Sequence, residues 1–173
     1  QRRLCSIRVI NGAVDIIDTT GLPGASPLYG LFRNKRMATE ALMLIADEQR
    51  LCHSLLGIEK AMGRSCFRAQ IGKCAGACRG DESQATHTER LLTALARWAI
   101  HRWPFPCAIA LHERHGEHVE YHVVDGWHYI GTYATEAEAR QAPKSTGQAF
   151  DADCYKILVR PLLLEGAELI MLG

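Results

Sequence analysis

GRSCFRAQIGKCAGACRG, residues 63–80, places three cysteines and four cationic side chains in eighteen positions. Residues 53–81 around it carry five glycines (Gly57, Gly63, Gly72, Gly76, Gly80) and few long apolar side chains. Such a stretch cannot offset the entropy of ordering its own backbone by burial, so something other than a core has to hold it. A fourth cysteine, Cys52, stands just before it. Cys52, Cys66, Cys74 and Cys78 are separated by 13, 7 and 3 residues. Four thiolates around a metal supply the missing order, because the free energy of metal binding becomes free energy of folding. The competing reading is that cysteine is a small buried hydrophobe, which fits Cys5, Cys107 and Cys154 better.

The chain shows no signal peptide and no apolar run near the ~20 residues that span a bilayer. It therefore reads as cytoplasmic, without a membrane partner. In a reducing compartment clustered cysteines serve metals or catalysis more often than disulfides. The spacing leaves the metal open. Structural zinc sites usually show two close cysteine pairs, whereas only Cys74 and Cys78 are close here. Iron–sulfur clusters tolerate wider spacing, although neither ferredoxin pattern is matched. A nucleophilic thiol needs a base, and His53 beside Cys52 is the nearest. Adjacent residues on a helix do not face each other, which makes that pair a weak one.

Working outward, residues 4–10 alternate in polarity, Asn11-Gly12 suits a type I′ turn, and residues 13–18 return as the second strand of a hairpin. A loop marked by Gly21, Pro23, Gly24 and Pro27 leads to a short strand or turn at 28–32. Asn34 then caps a helix over roughly 35–50, with Met37, Ala41, Leu44, Ile45 and Leu51 as its apolar face. That helix delivers Cys52. A second helix is expected over about 84–102, striped by Leu91, Leu92, Leu95, Trp98 and Ala99 and stopped by Trp103-Pro104-Phe105-Pro106. Beyond Pro104 come short strands at 107–111, 119–124 and 127–133, a short helix capped by Thr135, and strands at 155–159 and 169–172. The class is α+β. The expected organisation is a β-hairpin over 1–20, a helical four-cysteine metal-binding domain over 21–103, and a small antiparallel α+β domain over 104–173. The aromatic residues Trp98, Trp103, Phe105, Trp127, Tyr129 and Tyr133 are expected to pack the second helix against the C-terminal sheet.

The net charge of +1 conceals an uneven distribution, since Lys60, Arg64, Arg68, Lys73 and Arg79 make residues 60–80 a +5 segment. Arg64, Arg68, Lys73 and Arg79 are the candidate contacts to DNA phosphates; the plainer reading is a solvated face, or charge that balances a thiolate centre. His112, His115, His118 and His122 suggest a second metal site, but they straddle a turn at Gly116. Glu113, Glu117 and Glu120 read as the charged side of the same hairpin. No residue is assigned a catalytic role.

The run GLFRNKRMATEALMLIADEQRLC followed by GRSCFRAQIGKCAGAC resembles the UvrC-type excinuclease family. Ala-Asp-Glu-Gln before the first cysteine and Cys-Ala-Gly-Ala-Cys at the end are most similar to the short members, which lack a second nuclease and a helix-hairpin-helix domain. The resemblance continues into Tyr155-Lys156-Ile157-Leu158 and Pro161-Leu162-Leu163. It implies a nucleotide excision repair endonuclease whose GIY-YIG domain cuts damaged DNA 3′ to a lesion, with UvrB as partner. It also implies Cys52, Cys66, Cys74 and Cys78 as ligands of a [4Fe–4S] cluster, zinc being the alternative. The catalytic domain is expected upstream of Gln1, with the hairpin over 1–20 a remnant of the linker that follows it, so this chain is expected to be the non-catalytic C-terminal part. Tyr129-Ile130-Gly131 spells half of the nuclease signature without its companion strand, and reads as a core strand. Two alternatives stand beside this: an autonomous zinc-binding interaction module, and an enzyme that uses Cys52 or the histidine hairpin.

Overall fold

Asn11 and Gly12 take φ of 50° and 80°, the two left-handed residues that a type I′ turn requires. They join β1 (Leu4–Ile10) to β2 (Ala13–Thr19) in register from Ile10 opposite Ala13 to Leu4 opposite Thr19. The computed structural model describes residues 4–19, 27–60, 63, 65–148 and 150–173. The expected loop over 20–26 and Arg64 lie outside them. β3 (Leu28–Phe32) adds to the free side of β1 and gives an antiparallel sheet of order β2-β1-β3.

Asn34 Oδ1 accepts the Met37 N–H and starts α1 (Lys35–Gln49). Its buried stripe is Ala38, Leu42, Ile45 and Ala46, whereas Met37 and Leu44 of the expected face are exposed. The helix is apolar over a wide arc, and the small Ala38 and Ala46 let it approach the sheet closely. After the single turn α2 (Phe67–Gln70), Ser83 caps α3 (Gln84–Leu95), which buries His87, Leu91 and Leu95. A 3₁₀ turn, Ala96–Trp98, follows. The expected helix to residue 102 ends early because Ala99 turns extended: Ile100 N–H donates to Leu28 O at 2.9 Å and Ala99 bridges to Tyr29. Ile7 of the sheet, the α1 stripe, Leu51, Leu56, Leu91 and Leu95 form one core.

The chain divides into two compact units, Gln1–Ile100 and His101–Gly173. The second is a four-stranded antiparallel sheet of order β6-β5-β4-β7, from β4 (Ile109–His115), β5 (His118–Asp125), β6 (His128–Tyr133) and β7 (Leu169–Met171). Tyr129-Ile130-Gly131 lies within β6, paired to β5. α4 (Glu136–Arg140), capped by Thr135, packs Ala139 on Ala110 and Val123. Residues 155–159 are helical rather than a strand. Asp151 caps α5 (Ala152–Val159) by accepting the N–H groups of Asp153 and Cys154. Tyr155 and Leu162 then fall on one buried face, and that seven-residue spacing outweighs the strand propensity of Ile157 and Val159.

The aromatic residues pack within each unit: Trp98 meets Phe32 edge-on in the first. In the second, Trp127 lies between Trp103 and Tyr155, with ring centroids at 5.3 and 4.9 Å. Trp127 is fully buried at φ 67°, in the tight turn that pairs Asp125 with His128. A bulky residue in the left-handed region is strained, and the burial of the indole offsets that strain.

Candidate metal centre

α1 ends at Arg50, whose φ of 53° is left-handed and whose N–H closes back on Ala46 O. Most helices use glycine there. Arg50 is held by what it does next: its carbonyl accepts the Ala75 N–H at 3.0 Å, and its Nη2 donates to Gly72 O at 3.1 Å. The helix end is thereby tied to the loop that carries Cys74. Cys52 follows two residues later, fully buried.

Cys66 precedes α2, and its sulfur takes the place of a capping oxygen by accepting the Ala69 N–H. Cys78 sits in a 3₁₀ turn, Ala77–Arg79, between Gly76 and Gly80 at φ of 88° and 82°. At Gly76 a side chain is excluded twice over, because a Cβ would also stand 2.6 Å from Asp81 Oδ2. The four sulfurs lie within 4.8 Å of one another, with Cys52 Sγ to Cys66 Sγ at 3.9 Å and Cys78 Sγ to Cys66 Sγ at 3.6 Å. All are free thiols.

Three of the sulfurs also receive a main-chain N–H: Cys66 from Ala69, Cys74 from Gly76 and Cys78 from Cys66; the nearby Leu55 N–H favours the charged form of Cys52. Such donors stabilise thiolates. Burial pushes the Cys52 thiol up to about 12 and raises Cys66 as well. Burial works against ionisation at Cys78 too, but the Cys66 N–H and the neighbouring thiols donating to its sulfur outweigh it and bring Cys78 below the ordinary thiol range. As bare thiols, Cys78 thus ionises more readily than Cys52 or Cys66. A bound cation supplies the charge that lets the others ionise. The residues fit a four-thiolate metal site, because four sulfur donors, three of them buried and one half-buried, converge with preplaced N–H groups around them.

Cys52 is further held from α3. His87, 1% exposed, accepts the Cys52 N–H on Nε2 at 3.0 Å, and burial lowers its pKa, so the ring is neutral with its proton on Nδ1. Sequence reasoning did not single out His87. The available signal was its place four residues before Leu91 and eight before Leu95 on the apolar stripe, where a histidine needs a buried partner. His53 is buried with Nε2 unpartnered among the described residues. With Cys52 raised and enclosed by thiols, the Cys52–His53 pair lacks the lowered pKa of a nucleophile.

The candidate phosphate contacts differ in availability. Arg68 has only 14% of its side chain exposed; Nη2 pairs with Asp47 at 2.5 Å and donates to Lys73 O at 3.3 Å. Arg79 is exposed and pairs with Asp81 at 2.5 Å. Lys73 and Lys60 are exposed. The histidine hairpin does not converge as a set. His112 pairs with Glu168 and stacks on Tyr121 on one face of the sheet. His122 lies on the other, 3.0 Å from Glu113 and 3.7 Å from Glu120; His115 is 3.6 Å from Glu113.

Two family models cover almost the whole chain. Residues 5–97 match the UvrC/Cho excinuclease middle domain, and residues 108–173 match the excinuclease Cho C-terminal domain. The chain belongs to the UvrC/Cho excinuclease family. It is similar to excinuclease cho of Escherichia coli (strain K12), 42% identical over 166 residues, which is 94% of this chain and 56% of that protein. It is also similar to excinuclease cho of Salmonella typhi, 37% identical over 175 residues, 99% of this chain and 59% of that protein. The chain thus spans between half and two thirds of the length of these excinucleases. No solved structure matches it. The boundary between the two family models falls where the chain passes from its first unit to its second. Among the described residues no helix is long and apolar enough to cross a membrane.

Proposed function

We propose that this chain is the non-catalytic region of a Cho-like nucleotide excision repair endonuclease, and that its four cysteines hold a metal centre that orders a surface for DNA or UvrB. The convergence of Cys52, Cys66, Cys74 and Cys78, with main-chain N–H donors on three of the sulfurs, carries the metal assignment. The two adjoining family matches support the repair assignment. In this reading the bond-cutting residues of the 3′ incision lie outside residues 1–173, and the protein works in the cytoplasm.

Two observations bear on the occupant. Family resemblance supports a [4Fe–4S] cluster, which would place each thiolate on its own iron. The sulfur separations support one tetrahedral ion such as zinc, whose thiolates at the usual bond length stand about 3.8 Å apart. Anaerobic purification with metal and sulfide analysis separates them. Iron, sulfide and a broad band near about 400 nm mark the cluster; one zinc per chain and no visible band mark the ion. A metal-free chain that stays folded removes the centre.

DNA contact is supported by charge. The first unit holds fourteen Lys/Arg against nine Asp/Glu, net +5, while the second holds six against ten, net −4. Lys73 and Arg79 are the exposed candidates; Arg68 is engaged with Asp47 and Lys73 O, and Arg64 is a candidate on charge alone. Lys73→Ala is expected to lower the slope of log affinity against log salt by about 1. DNA affinity that does not change with salt removes this contact.

A further inference from the structure

We propose that the groove between α5 and the Leu111–Val124 face of the second sheet docks a protein segment that presents a bulky apolar side chain next to basic ones. The groove has a volume of about 480 Å³ and an apolar floor of Leu111, Val124, Leu158, Pro161 and Leu162. Ile157 forms part of its wall and is 72% exposed, a large aliphatic side chain left in water where the helix could have carried a polar one. α5 runs on into a π turn, Arg160–Leu164, closed by Glu165 N–H on Arg160 O. This wider turn buries Leu162 and leaves Leu164 70% exposed. Wide turns of this kind recur where a helix serves a function, and contiguous apolar surface at such a place marks an interaction site.

Charge selects the occupant. Asp151 and Asp153 are among its lining residues, and among the described residues no Lys or Arg lines the groove. The opposite wall includes His122, whose Nε2 faces Glu113 and Glu120. Of the cations on the same helical run, Arg160 is neutralised by Glu165 at 2.8 Å, which leaves Lys156 against this acidic set. The unit as a whole is net −4. A nucleic acid is repelled by such a lining, whereas a segment with lysine or arginine beside its apolar anchor is attracted and oriented by it. The shape suits an amphipathic helix laid into an apolar groove. This site is independent of the metal centre and of the repair reading.

The probes are two labelled amphipathic helical peptides with the same leucine face, one carrying lysines elsewhere and the other glutamates. They are titrated by fluorescence anisotropy with the whole, metal-loaded chain. The lysine peptide is expected to bind and the glutamate peptide to bind at least ~10-fold more weakly. Ile157→Asp and Asp153→Lys, both at exposed positions, are each expected to weaken the lysine peptide by ~10-fold without shifting the circular-dichroism melt. Equal binding of the two peptides, or undiminished binding by Ile157→Asp, overturns the proposal. So does a single-stranded oligonucleotide that binds the chain and loses affinity on Ile157→Asp, which would make the groove a nucleic-acid site. A change in sedimentation on Ile157→Asp without peptide makes it an interface between two copies, and equally overturns the assignment.

Discussion

His87 offers the sharpest test of how the candidate metal centre is held, because it touches Cys52 through a main-chain hydrogen bond and no sulfur. Replacing it with leucine fills most of the imidazole volume but leaves the buried Cys52 N–H, now bonded at 3.0 Å, without an acceptor. An orphaned buried donor costs about 1–3 kcal/mol. The substitution also removes Nδ1, which has no partner among the described residues, so the lower half of that range is expected. His87→Ala leaves a cavity at a fully buried position and should cost about 2 kcal/mol more. Hydrogen exchange read by mass spectrometry on peptides covering 51–56 measures the local opening directly. At about 1.4 kcal/mol per tenfold, exchange there should quicken roughly 5- to 25-fold in His87→Leu and over 100-fold in His87→Ala. Peptides from residues 109–133 serve as an internal reference and should not change. If the 51–56 amides of His87→Leu exchange within about threefold of the parent at equal metal content, the α3-to-Cys52 brace carries no energy and the reasoning fails.

Further outcomes follow from the same geometry. Serine at any one of Cys52, Cys66, Cys74 or Cys78 is expected to abolish the bound metal and open residues 60–80 to limited proteolysis, since this segment's core is little more than the thiols with Ala69 and Ala77; Cys5→Ser and Cys107→Ser should keep the metal. Trp127→Ala is expected to cost the second unit about 3–5 kcal/mol in chemical denaturation, and Trp127→Gly about 1 kcal/mol less than alanine, because φ of 67° favours glycine. A glycine variant no more stable than the alanine one would refute the strain. Burial raises the Cys154 thiol, so its thiolate fraction near pH 8.5 falls below that of the unfolded chain. Iodoacetamide should modify it more slowly when folded, with the gap narrowing as pH rises; equal rates at pH 8.5 would contradict the burial.

Local chemistry made much of this protein legible in one dimension. Asn11-Gly12, Asn34, Thr135 and the alternation of residues 4–10 specify a turn, two caps and a strand through interactions spanning a few residues, and all stand in the structure as read. The four cysteines were legible because a glycine-rich stretch without a core needs an external source of order. Readings that depended on which neighbour wins were less so. Both faces of α1 are apolar enough to bury, and contact with the sheet chose Ala38 and Ala46 over Met37 and Leu44. Residues 155–159 have strand propensity, yet the Asp151 cap and the burial of Tyr155 and Leu162 made them a helix. Arg68 and Arg79 looked alike as cations, but Arg68 pairs with Asp47 and is largely covered, whereas Arg79 pairs with Asp81 and stays exposed.

The sequence by itself marked Cys52, Cys66, Cys74 and Cys78 as a candidate ligand set, because residues 53–81 carry five glycines and few long apolar side chains. Only the tertiary structure decided how the four sulfurs are brought together. Arg50 tying α1 to the Gly72–Ala75 loop, His87 bracing Cys52 from α3, and the Cys66 N–H on Cys78 Sγ are contacts between residues far apart in sequence. Their energies depend on burial that exists once the chain has folded.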